Sequence, residues 1–170
     1  TPLLQDHLAH LGSWMPFAHA AAMLTRFTQV PVSPSTAQRH TEAIGLAYEA
    51  VQSAEVEQIE RDWPDVAPGP TQVVLSADGA MVPLVGGVWA EVKTLVVGEV
   101  VTPIEPQGTA IGATRQLSYF SRMTDAATFQ RLTLAELQHR RVETAAQVAL
   151  VSDGAEWIQG FIEYHAPCAI

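Results

Sequence analysis

The chain has little cysteine, little positive charge and no long apolar run, and each shortage excludes a class of protein. Cys168 is the only cysteine, so an intramolecular disulfide is impossible and a reducing compartment is expected. Charged residues such as Asp78, Glu91 and Lys93 interrupt every apolar stretch before it reaches the roughly 20 residues that span a bilayer. The first residues also lack the basic flank and apolar core of a secretory signal. We therefore expect a cytoplasmic protein without a membrane role.

Positive charge is scarce in both halves of the chain. The sequence has 9 Lys and Arg against 18 Asp and Glu, which gives a net charge of -9. Tight, independent binding of nucleic acid relies on clustered Lys and Arg that replace the counterions of the phosphates. The composition therefore argues against a domain that binds DNA tightly by itself, while a substrate held through a metal ion remains possible. Hydrophobic residues are plentiful at 48%, enough for the core of one ordinary domain or two small ones.

The first 62 residues have the periodicity of helices. We expect a first helix that Gly12 and Ser13 interrupt, and a second with Pro16 in its first turn. Ser33 is a good N-cap and Pro34 a good first residue for a third helix, which Asp62-Trp63-Pro64 ends. The positions expected to face neighbouring elements are Phe17, Ala20, Ala21, Leu24 and Phe27, and then Ala37, Ile44, Ala47, Tyr48, Val51, Val56 and Ile59.

The second and third helices, joined by a short connection, have two interpretations. Gln38, Arg39 and His40 lie near the start of the third helix, where a helix-turn-helix protein would contact DNA. The acidic balance of the region favours an ordinary helical hairpin instead. Both interpretations stay open, with these three residues as candidate DNA contacts.

Residues 66–70 are rich in proline and glycine and mark a domain boundary. They separate a helical region, 1–65, from a second domain, 71–170. In the second domain we expect strands that begin near residue 73, at 88–101 and at 117–123, with a turn at Gly86-Gly87 and a loop over 102–114. Thr124-Asp125 then caps a helix from 126 to about 143, which a strand at 147–151 and a further helix follow. The predicted fold is α/β (α+β), a β-β-β-α-β-α mixed sheet in which the first and fourth strands are neighbours.

A repeated phrase supplies the candidate site. The apolar runs that begin at Val73 and at Val148 both end in Asp-Gly-Ala, so that Asp78 and Asp153 each follow a buried strand. Two such carboxylates on adjacent strands can hold Mg²⁺ for phosphoryl transfer. The alternative is that Asp-Gly is only a hairpin turn signal. Helical spacing after Asp153 opposes that alternative there, whereas the apolar residues after Asp78 leave a hairpin or bulge open.

Three phrases together resemble those of the prokaryotic insertion-sequence DDE transposases, nearest to the Kra type. They are Ser-Ala-Asp-Gly-Ala at 76–80, Trp-Ala-Glu-Val-Lys at 89–93, whose Trp89, Glu91 and Lys93 share one strand face, and the phrase at 151–158. The helical phrases at 17–21 and 32–36 are similar to the region that precedes the catalytic core in that family. The resemblance therefore covers almost the whole chain.

The resemblance implies a ribonuclease H-like core with the element order predicted above. It implies that Asp78 and Asp153 are the first two catalytic, metal-binding acids, with Mg²⁺ or Mn²⁺ as cofactor and the DNA of transposon ends as substrate. Lys93 is a further candidate DNA contact, and a homo-oligomer is implied for the full-length enzyme. The third acid is expected beyond Ile170, so we interpret the chain as a truncated core that does not cleave DNA as given. Glu156 or Glu163 as a substitute third ligand is the alternative within the chain.

Two other functions compete with this one. An inactive remnant that only binds DNA or another transposase subunit would share the same sequence features. A small Mg²⁺-dependent phosphatase or nuclease would use the same aspartates, but no Lys or Ser/Thr phosphate motif accompanies them.

Overall fold

The computed structural model describes residues 2–65, 67–101 and 112–165. In these ranges helices come first and a four-stranded mixed sheet with two further helices follows, so the α/β class is confirmed. The chain divides into two compact units, Thr1–Ala54 and Glu55–Ile170. Because this division falls inside a continuous helix, the domain boundary predicted at residues 66–70 stays a prediction. None of the helices in the described ranges is both long and apolar enough to cross a membrane.

Three helices form the first unit and the start of the second: α1 at Pro2–Trp14, α2 at Phe17–Thr28 and α3 at Pro34–Arg61. The predicted start of α3 is confirmed, because the Thr36 amide donates to Ser33 Oγ at 3.1 Å as an N-cap requires.

The prediction that Gly12 and Ser13 end the first helix is wrong. The Ser13 hydroxyl donates to the His10 carbonyl at 2.7 Å, so it is satisfied inside the helix. A Cβ on Gly12 would overlap Thr41 Oγ1. This glycine therefore lets α1 approach α3 and does not end the helix.

A small apolar core holds the first unit together. Leu8, Ala21, Leu24 and Ala37, contributed by all three helices, are buried against one another. The turns of α3 at residues 42–51 are exposed on every side, because α3 packs on the other two helices only around its first turns. Several residues predicted to face neighbours are therefore exposed, and that part of the prediction is wrong. They are Phe27, Ile44, Ala47, Tyr48 and Val51.

The sheet has four strands: β1 at Gln72–Pro83, β2 at Trp89–Val101, β3 at Ala113–Arg122 and β4 at Gln147–Val151. Their order is β3-β2-β1-β4. The first three are joined antiparallel, and β4 runs parallel to β1. The prediction that the first and fourth strands are neighbours is confirmed. Most of the loop predicted at 102–114, namely 102–111, lies outside the described residues.

Two helices follow in the predicted order, α4 at Ala126–His139 and α5 at Glu156–His165. Asp125 caps α4 as predicted, because its Oδ1 accepts the Thr128 amide at 2.9 Å. Hydrogen bonds from the Thr128 hydroxyl and amide lower the pKa of Asp125. The predicted end of α4 near residue 143 is wrong, because Arg141 has a left-handed φ of 54° that stops the helix.

One face of the sheet carries the core of the second unit. Side chains alternate along β1, so that Val73, Leu75 and Ala77 are buried. Val73 and Leu75 belong to the same core cluster as Phe129 of α4 and Phe161 of α5. We call this the inner face. The members of its core cluster are Val73, Leu75, Leu95, Val97, Phe120, Phe129, Leu137, Val142 and Phe161. The opposite, outer face includes Tyr119 and Val151, which are 67% and 59% exposed, so α4 and α5 leave that face open.

The last turns of α3 pack within the second unit. Val56 and Ile59 are buried against Leu134 and Ala135 of α4. The guanidinium of Arg131 makes two hydrogen bonds to the Glu60 carboxylate, at 2.8 and 2.7 Å. The end of α3 is therefore part of the second unit.

Candidate functional site

The register between β1 and β4 determines where the two aspartates lie. Ser76 pairs with Val151, and Asp78 and Asp153 each follow two residues later. Neighbouring strands lie about 4.8 Å apart. The two repeated phrases therefore run side by side, and Asp78 and Asp153 each come two residues after the last parallel pair of these strands.

Asp78 lies within β1 and not at its end. It pairs with Thr94 of β2, and the strand continues to Pro83. The hairpin turns farther on, where Gly86 and Gly87 have φ values of 92° and 77°, as the predicted turn requires. The alternative that Asp78-Gly79 is itself a hairpin turn is therefore wrong.

The carboxylate of Asp78 belongs to the outer face. Residues two apart along a strand share a face, and Asp78 alternates with the buried Ala77 and Leu75. Asp78 is exposed, and its Oδ1 accepts the Gly79 amide at 2.7 Å.

Asp153 lies in the turn between β4 and α5. Its Oδ1 accepts the Ala155 amide at 3.0 Å, and Gly154 has a φ of 82°, which favours glycine in this turn. The helix α5 begins two residues later at Glu156. The prediction that a helix follows Asp153 is confirmed.

The two aspartates are the candidate ligands of a divalent ion. Both are exposed, and each accepts a hydrogen bond from a backbone amide one or two residues farther along the chain. Mg²⁺ is commonly held by one or two carboxylates and several waters, which is the donor set that this pair offers. Among residues 2–65, 67–101 and 112–165, no group of three or more His, Cys, Asp or Glu side chains is placed to hold a metal. The structure therefore does not bring Glu156 or Glu163 to the pair as a third ligand.

Lys93 lies on the inner face, opposite Gly79. It is 5% exposed, and its Nζ donates to Glu91 Oε2 at 2.5 Å and to the Thr124 carbonyl at 3.1 Å. The sequence placed Glu91 and Lys93 on one face of β2 but did not show that this face is the inner one. The role of Lys93 as a DNA contact stays a prediction, and it would require the ammonium to leave these partners.

The other candidate DNA contacts belong to the first unit. Gln38, Arg39 and His40 lie in the first turns of α3, and Gln38 Nε2 donates to Glu42 Oε1 at 2.8 Å. Gln38 and Arg39 are exposed. Their contact with DNA stays a prediction.

No model of a known protein family matches this chain, and no curated protein matches it in sequence.

Proposed function

We propose that residues 72–165 form the ribonuclease H-like part of the core of an insertion-sequence DDE transposase. In this proposal Asp78 and Asp153 are two of its metal-binding acids. The observation that carries the proposal is the parallel pairing of Ser76 with Val151, which aligns the two Asp-Gly-Ala phrases. The strand order β3-β2-β1-β4 and the helix between the third and fourth strands also agree with the order that the resemblance implies.

The chain supplies rigid supports for the two acids. Asp78 lies on β1, a central strand of the sheet. This strand is hydrogen-bonded to β2 on one side and, over the residues just before Asp78, to β4 on the other. Asp153 is held by its own turn and by the start of α5. Groups that are held before the substrate binds need little rearrangement during the reaction. A Cβ on Gly154 would meet no atom within 4 Å, which leaves room beside Asp153 for a phosphodiester.

The metal ion would supply the positive charge that the acidic chain lacks near the phosphate. A bound Mg²⁺ or Mn²⁺ would offset phosphate charge and activate a water or a 3′-hydroxyl. The proposed overall reaction is hydrolysis at transposon ends followed by strand transfer, carried out by a homo-oligomer.

Two carboxylates are too few for the whole reaction. A two-metal displacement needs anionic ligands that fix both ions about 3.5 to 4 Å apart, and among the described residues no group of three or more His, Cys, Asp or Glu side chains is placed to hold a metal. We therefore expect the 170-residue chain to bind one divalent ion and not to cleave DNA.

A titration with Mn²⁺, followed by the electron paramagnetic resonance signal of the free ion, tests this proposal. The wild-type chain should bind one Mn²⁺, and Asp78→Asn and Asp153→Asn should each weaken binding by at least tenfold. Asp65→Asn, which changes an exposed aspartate of the same unit, is the matched control and should bind like the wild type. Equal affinity in all four proteins would remove the metal site, and with it the proposed function.

A nicking assay on supercoiled DNA is the second arm. The wild-type chain with Mn²⁺ should leave the DNA intact. Nicking that both aspartate variants abolish would instead show that the chain contains a complete catalytic site.

A further inference from the structure

Lys93 is a buried charge on the inner face of the sheet. Lysine is almost never fully buried unless it is paired, and Lys93 has two close partners, Glu91 and Thr124. The side chain of its partner Glu91 is 37% exposed, and a partly exposed ion pair contributes little to stability. The pair therefore calls for an explanation other than stability.

The Glu91 side of the pair contacts the strand that carries Asp78. Lys93 and Glu91 lie opposite Gly79 and Met81 of β1. A Cβ on Gly79 would overlap Glu91 Oε1. The Glu91 carboxylate thus fills the space that a side chain at position 79, the residue after Asp78, would take.

The Lys93 side of the pair contacts the helix that follows Asp153. Its Nζ lies 5.7 Å from the centroid of the Trp157 ring, a cation–π distance. Trp157 lies in the first turn of α5 and packs edge-on against Phe129, with ring centroids 5.6 Å apart. One ion pair therefore contacts the segment beside Asp78 and the segment just after Asp153.

We infer that the Glu91–Lys93 pair is a positioning element that sets the spacing of Asp78 and Asp153. Both side chains lie on the inner face, whereas the Asp78 carboxylate belongs to the outer face, so the pair acts through the backbone at Gly79 and through Trp157. The inference rests on the proposed function. Groups that orient metal ligands without touching the ion commonly change metal affinity by 10- to 100-fold.

Two independent variants test the inference, so that it does not depend on the behaviour of either one alone. Glu91→Gln combined with Lys93→Met removes both charges and keeps the length of both side chains, so no unpaired charge is left buried. Gly79→Ala keeps every charge but pushes the Glu91 carboxylate away from Lys93. The matched control is Arg131→Met, which breaks the ion pair to Glu60 in the same unit. Each protein is measured for Mn²⁺ affinity and for thermal unfolding.

The expected result separates positioning from stability. The double variant and Gly79→Ala should each bind Mn²⁺ about tenfold more weakly while still folded, and Arg131→Met should keep its Mn²⁺ affinity even where its unfolding temperature falls. Affinity within twofold of the wild type in both test variants would overturn the positioning role and leave the metal site intact. If the wild type does not bind Mn²⁺ through Asp78 and Asp153, the proposed function and this inference both fail.

Discussion

Ser76 of β1 and Val151 of β4 are the last parallel partners before the two aspartates of the candidate site. The pairing fixes the register of both strands, and a slip of one residue would turn every side chain of a strand to the opposite face. Val73 and Leu75, buried on the inner face, make such a slip costly. The core of the sheet therefore also determines on which face the Asp78 side chain lies.

His165 should make the stability of the second unit depend on pH. Its Nε2 lies 3.1 Å from both the Thr133 hydroxyl and the Gln130 carbonyl, so Nε2 carries the proton, since a carbonyl only accepts. Within the part of the chain that the structure describes, its buried Nδ1 has no partner. Burial lowers the pKa of His165 from 6.5 to about 4, although the bond to Gln130 opposes this shift.

As the pH falls, His165 is therefore protonated at a higher pH in the unfolded chain than in the folded chain. The contribution of neutral His165 is complete above about pH 6.5 and is lost progressively down to about pH 4. Between pH 7.5 and 5 the unfolding free energy should fall by about 2 kcal/mol through this residue. Urea unfolding at both pH values measures the loss, and His165→Phe, which keeps a ring in place, should show a smaller one. An equal loss in both proteins would show that other groups are responsible.

Phe129 should be among the most sensitive positions of the core. It is fully buried, and its ring packs against those of Phe120, Trp157 and Phe161. Phe129→Ala should lower the unfolding free energy by about 3 to 5 kcal/mol, as measured by urea unfolding followed by circular dichroism. A loss below about 1 kcal/mol would contradict the packing described.

Tyr48 should tolerate the same type of truncation. Its side chain is 59% exposed on α3, and exposed substitutions usually change stability by no more than about 0.5 kcal/mol. Tyr48→Ala should therefore unfold at nearly the same urea concentration as the wild type. A loss above about 1.5 kcal/mol would mean that another surface covers these turns of α3.

Duplex DNA should bind the chain only weakly. The net charge of -9 opposes phosphate contact. Some of the few basic residues also form ion pairs within the chain, such as Lys93 with Glu91 and Arg131 with Glu60. In gel-shift titrations at physiological salt we expect dissociation constants above about 1 μM, with Arg39→Ala close to the wild type. Tighter, salt-sensitive binding that Arg39→Ala weakens would instead favour the helix-turn-helix interpretation.

Features set by local chemistry were predictable from the sequence. Ser33 and Asp125 are side chains that cap helices, and both mark observed helix starts. The strand at 147–151 and its neighbour β1 followed from apolar runs and from the order of elements. The candidate site was proposed in the same way, from a repeated Asp-Gly-Ala phrase, and its role in binding a metal stays a prediction.

Features set by distant contacts were not predictable. The apolar positions Ile44 and Val51 have helical spacing, but that spacing does not show whether another element covers them, and both are exposed. Alternation placed Glu91 and Lys93 on one face of β2, whereas only the packing of α4 and α5 makes that face the inner one. The end of α4 depends on the left-handed Arg141, a conformation that no residue type in the segment indicates.

Iron-directed cleavage of the polypeptide tests most directly whether Asp78 and Asp153 share one metal ion. Fe²⁺ accepts carboxylate ligands in place of Mg²⁺, and with ascorbate and peroxide it produces radicals that cut the backbone close to the bound ion. We predict cuts near residues 78 and 153 in the same sample, which excess Mg²⁺ prevents and which are lost together in Asp78→Asn. Cuts at only one of the two segments, or at both in Asp78→Asn, would contradict the shared site.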